Sequence, residues 1–547
     1  MRVPKRSCPA AAPVAILLAL MATLAASTAA PAAPQRAAAR PSLIVVIVVD
    51  MLPSGKLETL KPLLSGGFRR LLDAGRIHPA CAHAHAVTLT APGHATLLSG
   101  LLPRHHGVIM NEWYDITAHR EVSSVEERRD APAGAAGHDR SRNLIGEDLA
   151  DLVKRSHQAS KVYSVGGKDR SAILTAGHAP DGAFWYDEKT GEFTGAPGVR
   201  ARLSGWKPAA GIIPDAWSYP QRPEALRDDY PYETPPRVAP HSLRAEEGTS
   251  GDKASRSRGR RLAESPWLDW LTLELASKVL DDEALGRDAA PDLLVVALSA
   301  ADHVGHGKGP DSQEYLDTIV RVDGWLGDFM KRAEAAAAKS GGVVFALSSD
   351  HGVLPLPETY AGARRVDPGA MIARLQSALT SRLDPDATTP FVEESQGGHI
   401  YLDRRALAAS GVSLEKAIEE TRRILLGFWE VARVYRASDL ATDERGDSDL
   451  DLYRASWYPD RGGDLVVQPC RGCLFTSRRE GTSHGAPYDY DRLVPLILMG
   501  PGIEPGIASA ACRTVDLAPT LAEMLGLTFA TPRDGRSLPL SLAQGSP

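Results

Sequence analysis

Three stretches of this chain share one pattern, and that pattern leaves few folds open. Leu43-Ile-Val-Val-Ile-Val-Val49, Asp292-Leu-Leu-Val-Val-Ala-Leu-Ser299 and Gly342-Val-Val-Phe-Ala-Leu-Ser348 are continuous apolar runs rich in β-branched residues. A strand that is apolar on both sides must be covered on both sides, which is the condition of a parallel strand between layers of helices. Each run leads within a few residues to an aspartate: Asp50, Asp302 and Asp350. In open α/β sheets, ligands bind beyond the carboxyl ends of the strands. The expected fold is therefore α/β, with a central, mostly parallel sheet flanked by helices and three carboxylates at one edge.

Ser160–Val165 and Leu493–Met499 read as further strands, and Ile77–Ala86 as a weaker one. Apolar periodicity predicts helices over Ser65–Ala74, Ile145–Lys154, Leu268–Leu285, Ser312–Ala337 and Asp516–Leu525. Two regions break the rhythm, about 176–290 and 360–475. They are expected to be insertions, the second with helices near Gly369–Leu379 and Leu414–Phe428. At 547 residues the chain has room for one large domain over 42–530 carrying both insertions, with a C-terminal tail over 531–547.

Arg2, Lys5 and Arg6 precede the apolar run Val14–Ala26, and small residues continue to Ala33. Basic start, short apolar stretch and small-residue exit predict a secretory signal over 1–33, followed by a Pro/Ala-rich linker to residue 41. The expected product is periplasmic or secreted, without membrane contact after cleavage, and a monomer. A net charge of −6 gives no basic excess that would mark nucleic acid as a specific partner. The basic run Lys253–Arg261 reads as a solvated loop. Cys8 leaves with the signal. Cys81, Cys470, Cys473 and Cys512 remain, with three possible pairings, and a local Cys470–Cys473 disulfide is favoured.

The chemistry starts at Thr88-Leu-Thr-Ala-Pro-Gly-His94. Pro is tolerated in a first helical turn, so Thr90 is expected to cap a helix. Its hydroxyl then lies at the positive end of the helix dipole, where a nucleophile could meet a phosphate. A threonine before a helix is ordinarily no more than a cap. What changes the reading is the company: Asp50, Asp302 and Asp350, with His306, His351 and His484. Oxygen and imidazole ligands without thiolates suit catalytic Zn²⁺, with Mn²⁺, Co²⁺ or Fe tolerated. With Thr90 these make seven donors, too many for one tetrahedral ion and enough for two.

This set resembles the alkaline phosphatase superfamily, closest to its branch of type I phosphodiesterases/nucleotide pyrophosphatases and PafA-like alkaline phosphatases. The resemblance spans about Ser42 to Leu525. It implies an alkaline-phosphatase-like fold with cap-like insertions and two Zn²⁺. Asp302, His306 and His484 would hold one ion; Asp50, Asp350, His351 and Thr90 would hold the other. Thr90 would form a phosphothreonine, and Asn111 would bind phosphoryl oxygens. Lys168 and Arg170, in Gly167-Lys-Asp-Arg170, match the Lys-x-Arg pair of the monoesterase members. His94, His105, His106, His303 and His399 are left as structural or supporting residues. The leading expectation is a phosphate-monoester hydrolase acting on small-molecule esters. The alternatives are a nucleotide phosphodiesterase/pyrophosphatase, or a secreted binding protein on the same fold.

Overall fold

Strand β1, Leu43–Val49, is buried at every position and divides its side chains between two cores. Leu43, Val45, Ile47 and Val49 enter one hydrophobic cluster; Ile44, Val46 and Val48 enter the other. The first core is completed by helices Gly67–Ala74, Trp267–Asp282 and Gln313–Ala337, through residues such as Phe68, Leu271 and Tyr315. The second is completed by helices Thr90–Ser99, Leu149–Ser156 and Leu517–Met524, through Leu97, Val153 and Leu521. Burying an aliphatic side chain this completely stabilises by about 1.5–3 kcal/mol, so the alternation in β1 anchors two layers at once. This is a computed structural model. It describes residues 40–126, 141–196, 211–219, 241–386, 390–443 and 448–541, with a few single positions between them. The expected signal and nearly all of the linker lie outside the described residues. No helix among the described residues is long and apolar enough to cross a membrane.

The other strands of the central sheet are β2 (Arg76–Ala82), β3 (Val162–Gly166), β4 (Gly182–Asp187), β5 (Glu192–Gly195), β6 (Asp292–Leu298), β7 (Val343–Ser348), β8 (Leu493–Met499) and β9 (Gly506–Ile507). Their order is β9-β2-β8-β7-β1-β6-β3-β4-β5. The five strands from β7 to β4 are parallel. β8 and β5 run against their neighbours. The expected α/β architecture is what the structure shows. Register then places the chemistry. Val49 is level with Leu298, and Val48 with Ser348, so three adjacent strands leave the sheet at one edge.

Three local expectations change. The stretch after residue 176, expected as inserted loops and short elements, supplies β4 and β5 to the central sheet, and its long helix packs in the first core. The basic run Lys253–Arg261 is not a loop: it lies in helix Gly251–Ala263, whose mostly exposed surface solvates the charges. Thr90 is not a cap. It is the first helical residue, Leu89 holds the extended cap position, and no side chain caps the turn. The Thr90 hydroxyl is therefore not spent on its own helix.

The region 360–475 has a core of its own. Val392–Gln396, His399–Leu402, Leu465–Pro469 and Val431–Arg436 form a four-stranded antiparallel sheet. Helices Pro368–Leu383 and Leu414–Leu425 pack on it through Met371, Leu375 and Leu425. Two disulfides are present among the described residues. Cys470 pairs with Cys473, as favoured from sequence, and Cys81 of β2 pairs with Cys512.

Candidate active site

Asp50 is delivered by an unusual turn. The next residue, Met51, has φ +60°, a left-handed conformation that non-glycine residues seldom adopt. The surroundings hold it there. The Tyr315 hydroxyl donates to the Met51 carbonyl at 2.6 Å, and the Met51 N–H points to Asp350 Oδ1 at 3.3 Å. The Leu52 N–H donates to Ser349 Oγ at 2.9 Å. Gly305 admits this packing, because a Cβ there would stand 2.5 Å from Met51 Sδ. The turn thus ties β1, β7 and helix Gln313–Ala337 together behind two carboxylates. Replacing Tyr315 by Phe removes one hydrogen bond, a loss of about 1 kcal/mol. Turnover should nonetheless fall about 10- to 100-fold, the usual cost of losing a group that orients a site carboxylate. Met51→Gly in the same background should restore part of the loss, because Gly adopts the turn without help. Steady-state kinetics on the two variants checks this; an unimpaired Tyr315→Phe enzyme would show that the latch orients nothing.

The remaining donors converge on the same edge. Helix Ala300–Lys308 carries Asp302 and His306 one turn apart, with His306 Nε2 at 3.2 Å from Asp302 Oδ1. His484 Nε2 lies 3.6 Å from the same oxygen. His351 Nε2 lies 3.3 Å from both Asp50 Oδ1 and Asp350 Oδ2. The His351 and His484 rings stack with centroids 3.4 Å apart. Two compact donor groups result, Asp302/His351/His484 and Asp50/Asp350/His351, sharing His351. His306 stands at the margin of the first through Asp302.

The imidazoles are oriented alike. His306 Nδ1 pairs with the Thr482 carbonyl at 2.9 Å, His484 Nδ1 with Thr88 at 2.7 Å, and His351 Nδ1 with Gly352 at 2.9 Å. A ring that donates Nδ1–H to a carbonyl presents an Nε2 lone pair, as metal-ligating histidines do. Asp50 Oδ1, Asp302 Oδ1, Asp350 Oδ2 and His351 Nε2 are buried with no hydrogen-bond partner. So many orphaned acceptors at one point carry a heavy desolvation cost unless a cation shares them. The donor set, its tautomers and its unpaired atoms all fit divalent metal.

One ammonium sits among them. Lys168 Nζ lies 2.5 Å from Asp50 Oδ2 and 2.5 Å from Asp302 Oδ2, bridging the two groups. Burial pushes the carboxyls of Asp50 and Asp302 up, but the neighbouring imidazoles and the Lys168 charge hold both below the ordinary carboxylate range. Asp350 goes the other way: burial, then the charge of Asp50, raises it well above that range. Arg170, at the start of helix Asp169–Ile173, is half-buried and its Nε has no hydrogen-bond partner. Its field reaches Lys168 and His94.

Helix Thr90–Ser99 docks on this cluster by its first turn. Gly93 makes that possible, since a Cβ there would stand 2.2 Å from the Asp350 carbonyl. His94 Nδ1 lies 2.9 Å from the Thr90 carbonyl and 3.3 Å from Asp350 Oδ2. Asn111 Oδ1 accepts from the Ala91 N–H at 2.8 Å. That bond fixes the amide beside Thr90 and leaves its NH₂ as the free donor. All ten candidate residues from the sequence (Asp50, Thr90, Asn111, Lys168, Arg170, Asp302, His306, Asp350, His351 and His484) thus lie in or beside one cluster. Sequence reasoning left His94 among the structural histidines and did not single out Met51 or Tyr315. The one available signal was the four-residue spacing of Thr90 and His94, which puts both on one helix face.

Comparison with known proteins bears on the family and the fold. The family model described as type I phosphodiesterase / nucleotide pyrophosphatase matches residues 44–490. Alkaline phosphatase PafA of Elizabethkingia meningoseptica is 28% identical over 527 residues, covering 92% of this chain and 94% of that protein. Alkaline phosphatase PhoD of Zymomonas mobilis is 30% identical over 526 residues, covering 91% and 88%. The crystal structure of wild-type alkaline phosphatase PafA superposes with a TM-score of 0.74 at 25% identity, covering 91% of this chain and 98% of that one.

Proposed function

The chain belongs to the type I phosphodiesterase/nucleotide pyrophosphatase family and is a hydrolase of the alkaline phosphatase superfamily; from that premise we propose that it is an exported, zinc-dependent alkaline phosphatase hydrolysing phosphate monoesters. The observation that carries the proposal is the meeting of three buried carboxylates, three imidazoles and the Lys168 ammonium at the sheet edge where helix Thr90–Ser99 docks. Asp302, His306 and His484 would hold one zinc; Asp50, Asp350, His351 and Thr90 would hold the other. Bound there, zinc lowers the pKa of a coordinated hydroxyl or water and offsets charge on phosphoryl oxygens.

The protein's own groups supply the rest. Thr90 Oγ attacks phosphorus, and the bond to the alcohol oxygen breaks on the opposite side. Water then cleaves the phosphothreonine and releases inorganic phosphate. Asn111, fixed through Ala91, presents its NH₂ to a phosphoryl oxygen. Lys168 and Arg170, two residues apart, would supply two positive charges to the phosphoryl group. A monoester dianion gains more from both than a diester monoanion does, and the transition state is loose enough for such charge to dominate.

The test is the ratio of kcat/KM on an aryl monophosphate to that on the matching diester. Changing Lys168 and Arg170 together to Ala should lower monoester kcat/KM on the order of 10²–10³-fold, the scale of losing a preorganised charge-stabilising donor. Diester turnover should change far less. Equal losses on both substrates, with metal content intact, would favour the diesterase reading instead.

A further inference from the structure

A cavity of about 350 Å³ adjoins the cluster on its His484 side. Its walls come from two sources. Val87, Leu89 and His484 belong to the segments that frame the site, while Met371, Ile400 and Phe475 belong to the region 360–475. Leu89 directly precedes Thr90, and His484 is tied to Thr88 by its Nδ1 hydrogen bond. His484 belongs to the Asp302/His351/His484 donor group, so the cavity borders that group directly.

We propose that this cavity is the subsite for the organic part of the substrate, and that it selects phosphate esters of aromatic alcohols. The inference rests on the monoesterase reading above. The chemistry of the walls supports it. They are mainly aliphatic and aromatic, and the volume falls in the range of pockets that enclose small molecules. The cavity therefore gains free energy from an aryl ring and little from a short polar alcohol. Two polar atoms of its walls are unengaged: Asp491 Oδ1 and Gln396 Oε1 are buried without a hydrogen-bond partner, while Gln396 Nε2 donates to Glu121 at 2.9 Å.

The test compares 2-naphthyl phosphate with phenyl phosphate, whose leaving groups are of similar acidity but differ by one fused ring. The wild-type enzyme should prefer the naphthyl ester about 10-fold in kcat/KM or more, the discrimination expected of a few extra apolar carbons in a fitted pocket. Gln396→Trp, which places an indole in the cavity, should bring the ratio to about one. Gln396→Ala, which loses the same hydrogen bond to Glu121 without filling space, should keep the preference. A ratio near one in the wild type, or a preference that survives Gln396→Trp, overturns the proposal. Direct binding separates this from failure of the monoesterase reading. Fluorescence titration of 2-naphthol should show saturable binding to the wild type and to Gln396→Ala, and not to Gln396→Trp. If that pattern holds while neither monoester is turned over, the pocket assignment stands and the reaction assignment falls. If 2-naphthol does not bind, the pocket assignment falls whatever the turnover.

Discussion

Thr90→Ala should reduce phosphomonoester turnover on the order of 10⁴–10⁶-fold, the scale on which removing a covalent nucleophile acts. Thr90 is almost fully buried, with 1% of its surface exposed, and begins a helix that no side chain caps. Losing its hydroxyl therefore removes neither a cap nor a packing group of any size, and the variant should fold and keep metal through Asp50, Asp350 and His351. Thr90→Ser keeps the oxygen and should keep most of the activity, within about two orders of magnitude, because it gives up only the rotamer restriction of a β-branched side chain. The pair separates chemistry from structure. Kinetics on both variants, with circular dichroism and metal content alongside, decides the matter; a Thr90→Ala protein with more than a few per cent of wild-type activity would remove Thr90 from the nucleophile's place.

The site was legible in the sequence where burial forces a pattern. β1, β6 and β7 are apolar on both faces, so they stand out as runs, and each delivers its aspartate where a parallel sheet exposes its strand ends. Asp302 and His306 stand four apart in the sequence, and helix Ala300–Lys308 sets them one turn apart. The rest depends on contacts that no local pattern encodes. Lys168 meets Asp302 across 134 residues, and Tyr315 latches Met51 across 264. Cys81 finds Cys512 across 431. β4 and β5 were missed for another reason. They are short, aromatic or polar strands at the far edge of the sheet, and β5 is only partly buried, so neither shows the continuous apolar signature of a central strand. Thr90 itself was read one position too far out. A Pro in the first turn fits a cap at either Leu89 or Thr90, and only backbone geometry separates them.

Removing divalent metal should abolish activity and also lower the unfolding temperature by several degrees, and the two effects share one origin. Asp50, Asp302 and Asp350 are each at most 2% exposed, and the single ammonium of Lys168 bridges only two of them. Burial first, and then the charge of Asp50, drives Asp350 well above the ordinary carboxylate range. A protein in that state relieves the repulsion by taking up a proton or by binding a cation. Binding to the folded chain stabilises it by RT ln(1 + [L]/Kd), about 4 kcal/mol at a thousandfold excess over Kd. Chelation should therefore inactivate and destabilise together, and two equivalents of Zn²⁺ per chain should restore both. Mn²⁺ or Co²⁺ should restore part, whereas Mg²⁺ and Ca²⁺ should restore neither, because hard cations select oxygen over imidazole. Asp302→Asn supplies the internal control. Asp302 Oδ1 is approached by both His306 and His484, so the substitution should cost one metal equivalent while leaving the Asp50/Asp350/His351 group able to bind the other. Calorimetry with elemental analysis reads stoichiometry and stability in one preparation. Full activity in a chelated sample free of metal would leave the buried carboxylates without a purpose and the zinc assignment without support.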